Sequence, residues 1–169
     1  ELTTLIEQLL RPEAYPYAVD QVQLRQTHIS AVFLAGDRVY KVKKPVSTPF
    51  LDFRTLDSRR HFCDEEIRLN RRLAPSVYRG VVPIVAGPQG LRIAEPTTDE
   101  PVVEWAVEMV RLPDRDCLSA WVDGDRLDDA TIDAIAVKLA AFHRDQAGSA
   151  TPSCAGAQAV RSLLVDNLE

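Results

Sequence analysis

Cysteine is scarce and scattered in this chain. Cys63, Cys117 and Cys154 are odd in number and far apart, which excludes a zinc ribbon or a disulfide scaffold and points to reduced thiols. Glycine is sparse too, seven in 169 residues, and none stands in a G-x-x-x-x-G-K-[ST] run, so the chain carries no P-loop of its own. No apolar stretch nears the roughly 20 residues that cross a bilayer as a helix. The N-terminus lacks the basic and apolar regions of a secretory signal. It opens on Glu1 rather than methionine, as expected of a processed or truncated piece. Positive charge is not in excess: 20 Lys and Arg face 25 Asp and Glu, a formal net charge of −5, which argues against a nucleic-acid partner. Repeats and low-complexity tracts are missing as well. A soluble, cytoplasmic protein is expected.

What remains is an ordinary globular balance. With 46% hydrophobic and 27% charged residues, the chain can bury a core, as one domain or as one lobe plus the start of a second. Residues 1–10 place Leu2, Leu5, Ile6, Leu9 and Leu10 on one helical face, and Pro12 and Pro16 end that helix. Val22 and Leu24 open a short strand, interrupted at Thr27-His28-Ile29-Ser30. Ala31 to Ala35 reads as a second strand, Gly36-Asp37 as a tight turn, and Arg38 to Lys44 as the return. In that return Val39, Lys41 and Lys43 share one face, and Tyr40, Val42 and Lys44 the other. PVSTPFLDF is expected to be a loop. A long helix runs from about Thr55 to Ala74, with Leu56, Phe62, Leu69 and Leu73 as its apolar stripe. Strands follow at Gly80 to Val85, Gly90 to Ala94 and Val102 to Val110, the last with Trp105, Val107 and Met109 on one side. Thereafter the pattern is helical: Asp116 to Trp121, then Asp129 to His143, whose apolar face is Ile132, Ile135, Ala136, Leu139 and Phe142. A loop is expected over 146–156 and a last helix from Gln158. Strands around one long helix, then helices only, make an α+β arrangement.

Within this frame Glu66 is the charge that needs a reason. It stands between Phe62 and Leu69 on the stripe, where an unpaired carboxylate would be costly to bury. Lys41, with Val39 and Val42 on either side of it in a strand expected to be half-buried, is the nearest candidate cation. Two arrangements satisfy the pattern: Glu66 rims the stripe while Lys41 is solvated, or the two pair. A strand lysine paired with a glutamate of the next long helix is what kinases use to hold the α- and β-phosphates of ATP. Lys43 on the same strand face, and Glu65 about 100° away on the helix, rank second.

The run THISAVFLAGDRVYKVKKPV, then FLDF, RRHFCDEEIRLNRRLAP and VYRGVVPI, with EWAVEMVRLP later, resembles a bacterial family of aminoglycoside-phosphotransferase-like proteins, many of them fused to a second, P-loop ATP-binding domain. The resemblance covers roughly residues 15–145. It implies a protein-kinase-like small lobe over 1–110, with a five-stranded antiparallel sheet and one long helix, and the start of a helical lobe over 111–169. ATP and Mg²⁺ are the implied ligands, and a hydroxyl-bearing small molecule the implied phosphate acceptor. Lys41 then matches the phosphate-holding lysine and Glu66 its partner. Thr27, His28 and Ser30 fall where kinases place the loop over the phosphates, and Met109, Val110 and Leu112 where adenine meets backbone.

The chain also departs from that family. The Thr27–Ser30 turn has no glycine, although its hydroxyls or amides could bind phosphate oxygens. An alternative is a polar turn with no ligand. Transfer further requires an H-x-D loop with an asparagine five residues on, and a second aspartate for magnesium. His143-Arg144-Asp145 imitates the first, but Ala150 stands where asparagine belongs, and it is read as an ordinary helix end. No catalytic residue or metal ligand is therefore assigned. The chain alone is expected to be inactive in phosphate transfer, as the ATP-binding part of a kinase or as a kinase-like binding module.

Overall fold

The computed structural model describes residues 2–146. It divides into two units, the first ending at Pro113 and the second starting at Asp114. The first begins with α1 (Leu2–Leu9) and a 3₁₀ turn (Pro12–Ala14). It continues through β1 (Val22–Gln26), β2 (Ser30–Ala35), β3 (Arg38–Lys43), a small hairpin of β4 (Ser47–Thr48) and β5 (Leu51–Asp52), α2 (Leu56–Asn70), β6 (Tyr78–Gly87), β7 (Gly90–Ile93) and β8 (Val102–Val110). Six of the strands form one antiparallel sheet in the order β1-β2-β3-β8-β6-β7. The class is α+β, as the pattern implied. The sheet has six strands where the resemblance implied five, and the loop expected before α2 holds the β4–β5 hairpin.

Local chemistry explains the turns. Gly36 adopts φ +58°, the left-handed geometry that lets β2 return directly as β3. Thr55 caps α2, its Oγ1 accepting the Ser58 amide at 3.1 Å. The helix ends at Asn70, short of the expected Ala74. Pro75 disfavours helical geometry at the residue before it, and the last turn tightens, with the Leu73 amide donating to the Asn70 carbonyl at 3.1 Å. Pro83 sits fully buried inside β6. Its carbonyl accepts the Ala94 amide at 2.9 Å, just past the end of β7, so its missing N–H would have pointed where no strand continues.

The sheet is covered on both faces. On one, Leu5 and Leu9 of α1, Ala14 and Tyr15 pack with Phe33, Tyr40, Val42, Ile84 and Ala106, and the Tyr15 hydroxyl donates to the Leu9 carbonyl at 2.7 Å. On the other, Cys63 and Ile67 of α2 pack with Val107 and with the flanking Tyr78, Val81, Trp105 and Met109. The apolar stripe of α2 is thus Cys63 and Ile67, with Arg59 buried in line with them. Of the expected stripe, Phe62 is half-buried, Leu69 is exposed, and Leu73 lies beyond the end of the helix.

Burial also separates the thiols. Cys63 is fully enclosed and its pKa is pushed up to about 12 by that burial, while Cys117 is exposed. In a Cys154→Ser background, a thiol reagent should modify one group natively and a second only on unfolding. Native labelling of both would contradict the packing of α2.

The second unit, taken by itself, holds a 3₁₀ turn (Asp114–Asp116), α3 (Leu118–Asp123) and α4 (Asp129–Gln146). Of the apolar face expected on α4, Ile132, Ile135 and Leu139 are exposed. The loop expected over 146–156, apart from Gln146, and the helix expected from Gln158 lie outside the described residues. Among the described residues no helix is long and apolar enough to cross a membrane.

Candidate functional site

Strand alternation fixes what faces α2. Lys41 is opposite Val107 of β8 and Val32 of β2, so its side chain leaves the sheet on the side where Val107 meets Cys63 and Ile67. Lys43, two residues on, leaves on the same side. Glu66 follows Cys63 by three residues on α2 and borders the buried stripe, and both lysines reach it. Lys41 Nζ donates to Oε1 at 2.9 Å and Lys43 Nζ to Oε2 at 2.8 Å. The structure therefore brings Lys41 and Glu66 together and adds Lys43 as an equal partner, where the sequence ranked it second. Glu65 stays outside this cluster, paired with Arg68 at 2.7 Å on the exposed flank.

The two lysines differ in depth. The Lys41 side chain is 29% exposed and that of Lys43 only 7%, with its ammonium 5.1 Å from the centre of the Phe53 ring. Burial alone would raise the Glu66 carboxyl, but hydrogen bonds from Lys43 and Lys41 outweigh it and hold the pKa below its ordinary value. A depressed carboxyl contributes stability that is fully present above its unfolded pKa and fades as pH falls through the folded one. The stability gap between the native chain and Glu66→Gln should hold at about pH 7 and shrink once pH drops below the usual 4.5. Urea midpoints across that range check it, and a constant gap would contradict an ionised Glu66.

Thr27, His28 and Ile29 form the β1–β2 turn at the Lys43 end of β3. The Thr27 hydroxyl is already committed there, accepting the Ser30 amide at 3.0 Å, and the Thr27 amide donates to the Ser30 carbonyl at 2.9 Å. Lys44 Nζ donates to the Thr27 carbonyl at 2.8 Å. Ser30 is buried, and its Oγ has no hydrogen-bond partner. The expectation of an open Ser30 hydroxyl is thereby corrected, since Ser30 is enclosed, while Thr27 is exposed and its oxygen also holds the turn. His28 is exposed at the tip.

At the far end of the sheet Met109 is half-buried on the α2 face, opposite Val39. The Val110 amide donates to the Val77 carbonyl at 2.8 Å and the Arg111 amide to the Asp37 carbonyl at 2.8 Å. Both amides are engaged within the protein, and Leu112 beyond them is exposed. His143, Arg144 and Asp145 lie within α4 rather than in a loop.

Two buried charge clusters escaped the sequence. Arg59 makes a bidentate pair with Glu104, Nε to Oε2 at 2.8 Å and Nη2 to Oε2 at 2.8 Å, with Nε to Oε1 at 3.0 Å. Its Nη1 donates to the carbonyls of Phe53 at 2.9 Å and Arg54 at 3.0 Å. The Glu104 carboxylate also accepts the Trp105 amide at 2.9 Å. The β3–β8 ladder runs only to Val42 and Ala106, so that amide lies past the last rung. Four residues along β8, Glu108 takes Arg38 at 2.6 Å and Arg79 at 3.4 Å. Among the described residues no group of three or more His, Cys, Asp or Glu is placed to hold a metal ion.

Comparison with known proteins adds relatives without a described activity. The chain is 40% identical over 123 residues to uncharacterized proteins of Mycobacterium bovis and of two strains of Mycobacterium tuberculosis. The match takes in 73% of this chain and 22% of each relative, so the chain spans about a fifth of the length of these curated proteins. No family model and no solved structure matches.

Proposed function

We propose that this chain is the nucleotide-binding portion of a small-molecule phosphotransferase of the aminoglycoside-phosphotransferase-like type. Lys41 would meet the phosphates of ATP and Glu66 would hold it in place. The observation that carries the reading is the 2.9 Å bond from Lys41 on β3 to Glu66 on the long helix, the strand-to-helix pair that phosphate-holding kinase sites use. Three further features support it. α2 packs over β8 and β6, while half-buried Val32 and Val39 flank Lys41 on the same face, a floor suited to a purine. The β1–β2 turn, with exposed Thr27 and His28, lies at the end of that floor, where backbone groups could meet phosphate. Of the adenine segment, the Val110 amide is engaged, which moves base recognition toward Leu112.

The proposal is one of binding. The described residues bring together no metal-ligand set, so no site is assigned here to the Mg²⁺ implied with ATP and no transfer step is derived. That the longer protein phosphorylates a hydroxyl-bearing small molecule, in the cytoplasm, next to a fused P-loop domain, belongs to the same proposal. The test is thermal stabilisation by ATP, ADP, tripolyphosphate and adenosine, compared at equal concentration. Phosphate-bearing ligands should raise the midpoint in proportion to their affinity, and adenosine should do so much less. Stabilisation by none of them at millimolar concentration would sink the reading.

A further inference from the structure

We infer that Lys43 is a positioning residue for nucleotide phosphates: it holds one oxygen of Glu66, so that the carboxylate stays compensated when Lys41 turns to the ligand. The inference rests on the nucleotide reading above and deepens it. It starts from a charge count. Two ammonium groups meet one carboxylate, each on its own oxygen, at 2.9 and 2.8 Å, which leaves one positive charge in surplus. The surplus belongs to Lys41, since its side chain is 29% exposed against 7% for Lys43. Lys43 is enclosed between Glu66 and the Phe53 ring and sits opposite buried Ser30, too deep to reach a ligand itself.

In a site with a single lysine, phosphate and carboxylate compete for one ammonium. Drawing the lysine outward strands a buried carboxylate, which must then take up a proton or pull the lysine back. Here Lys43 removes that competition. The other groups around Glu66 cannot replace it: Cys63 on α2 and Tyr78 on β6 are neutral, both with raised pKa values. The facing residues of β8 (Trp105, Val107 and Met109) are uncharged, and Arg59 is held by Glu104.

The experiment is calorimetric titration of the whole chain with ATP, at about pH 6, in two buffers of different ionisation enthalpy, which counts protons taken up on binding. Lys43→Met should bind ATP about tenfold more weakly and take up more protons per ATP than the native chain. In the Glu66→Gln background the same substitution should change affinity less than about twofold, because a neutral amide needs no cation. Lys43→Arg, which keeps a charged donor, should restore the native proton count, and it guards against a Lys43→Met chain that fails to fold. Native ATP affinity and proton count in Lys43→Met, or a Lys43→Met loss undiminished in the Glu66→Gln background, would overturn the proposal alone. A native chain that binds neither ATP nor tripolyphosphate would overturn the nucleotide reading, and this proposal with it.

Discussion

Replacing Arg59 with methionine should destabilise the chain by about 3–5 kcal/mol, the cost of breaking a buried ion pair from one side. The Arg59 and Glu104 side chains are 10% and 6% exposed, so Glu104 would be left charged and nearly dry, with the Trp105 amide as its remaining partner. The Phe53 and Arg54 carbonyls would lose their donor as well. Urea denaturation measures the loss through its midpoint, provided the slope stays constant. Arg68→Met removes an arginine of the same helix whose pair with Glu65 lies on the surface, and should change little. The double variant Arg59→Met with Glu104→Leu should recover a large part of the loss, because an apolar pair leaves no stranded charge. Equal midpoints for Arg59→Met and Arg68→Met would show that the buried pair contributes nothing.

The second large effect falls on ligand binding. Lys41→Met should weaken ATP binding by about 1.5–3 kcal/mol, roughly ten- to a hundredfold, the range for hydrogen bonds to charged groups. Glu66→Gln should also weaken it, since an amide holds the lysine less firmly than a carboxylate. If Glu66 acts through Lys41, the double variant should lose little more than Lys41→Met alone, a coupling of about 1 kcal/mol or more. Additive losses in both affinity and stability would mean that the two side chains, though in contact, do not cooperate. The placement of the phosphates at Lys41 would then lose its main support.

The sequence pointed to Glu66 by way of the wrong stripe. Phe62, Leu69 and Leu73 look like the apolar face of α2, yet the buried line is Arg59, Cys63 and Ile67. Arg59 is not a residue that periodicity counts as core, and Glu66 borders both lines, so it emerged from either. Strand alternation placed Lys41 and Lys43 on one face correctly, but alternation carries no information about depth. Phe53 lies against the Lys43 ammonium, while the Lys41 side chain is 29% exposed, and neither follows from alternation. The Arg59–Glu104 pair joins residues 45 positions apart, and nothing local to either announces the other. The β4–β5 hairpin was unreadable for a simpler reason, since two-residue strands have no period to detect.

That hairpin bears on how the chain tolerates added length. Its base is clamped, with the Phe53 amide on the Val46 carbonyl at 2.8 Å and Arg59 gripping the Phe53 and Arg54 carbonyls. Its tip is open to solvent, with Phe50 82% exposed. Residues inserted between Pro49 and Phe50 would enlarge a surface loop at a closure cost that grows only logarithmically with its size. The clamp would still set where α2 begins. Homologues can therefore vary in length at this point without moving Glu66 relative to the lysines, and a reporter group or affinity tag grafted there would leave the triad in place.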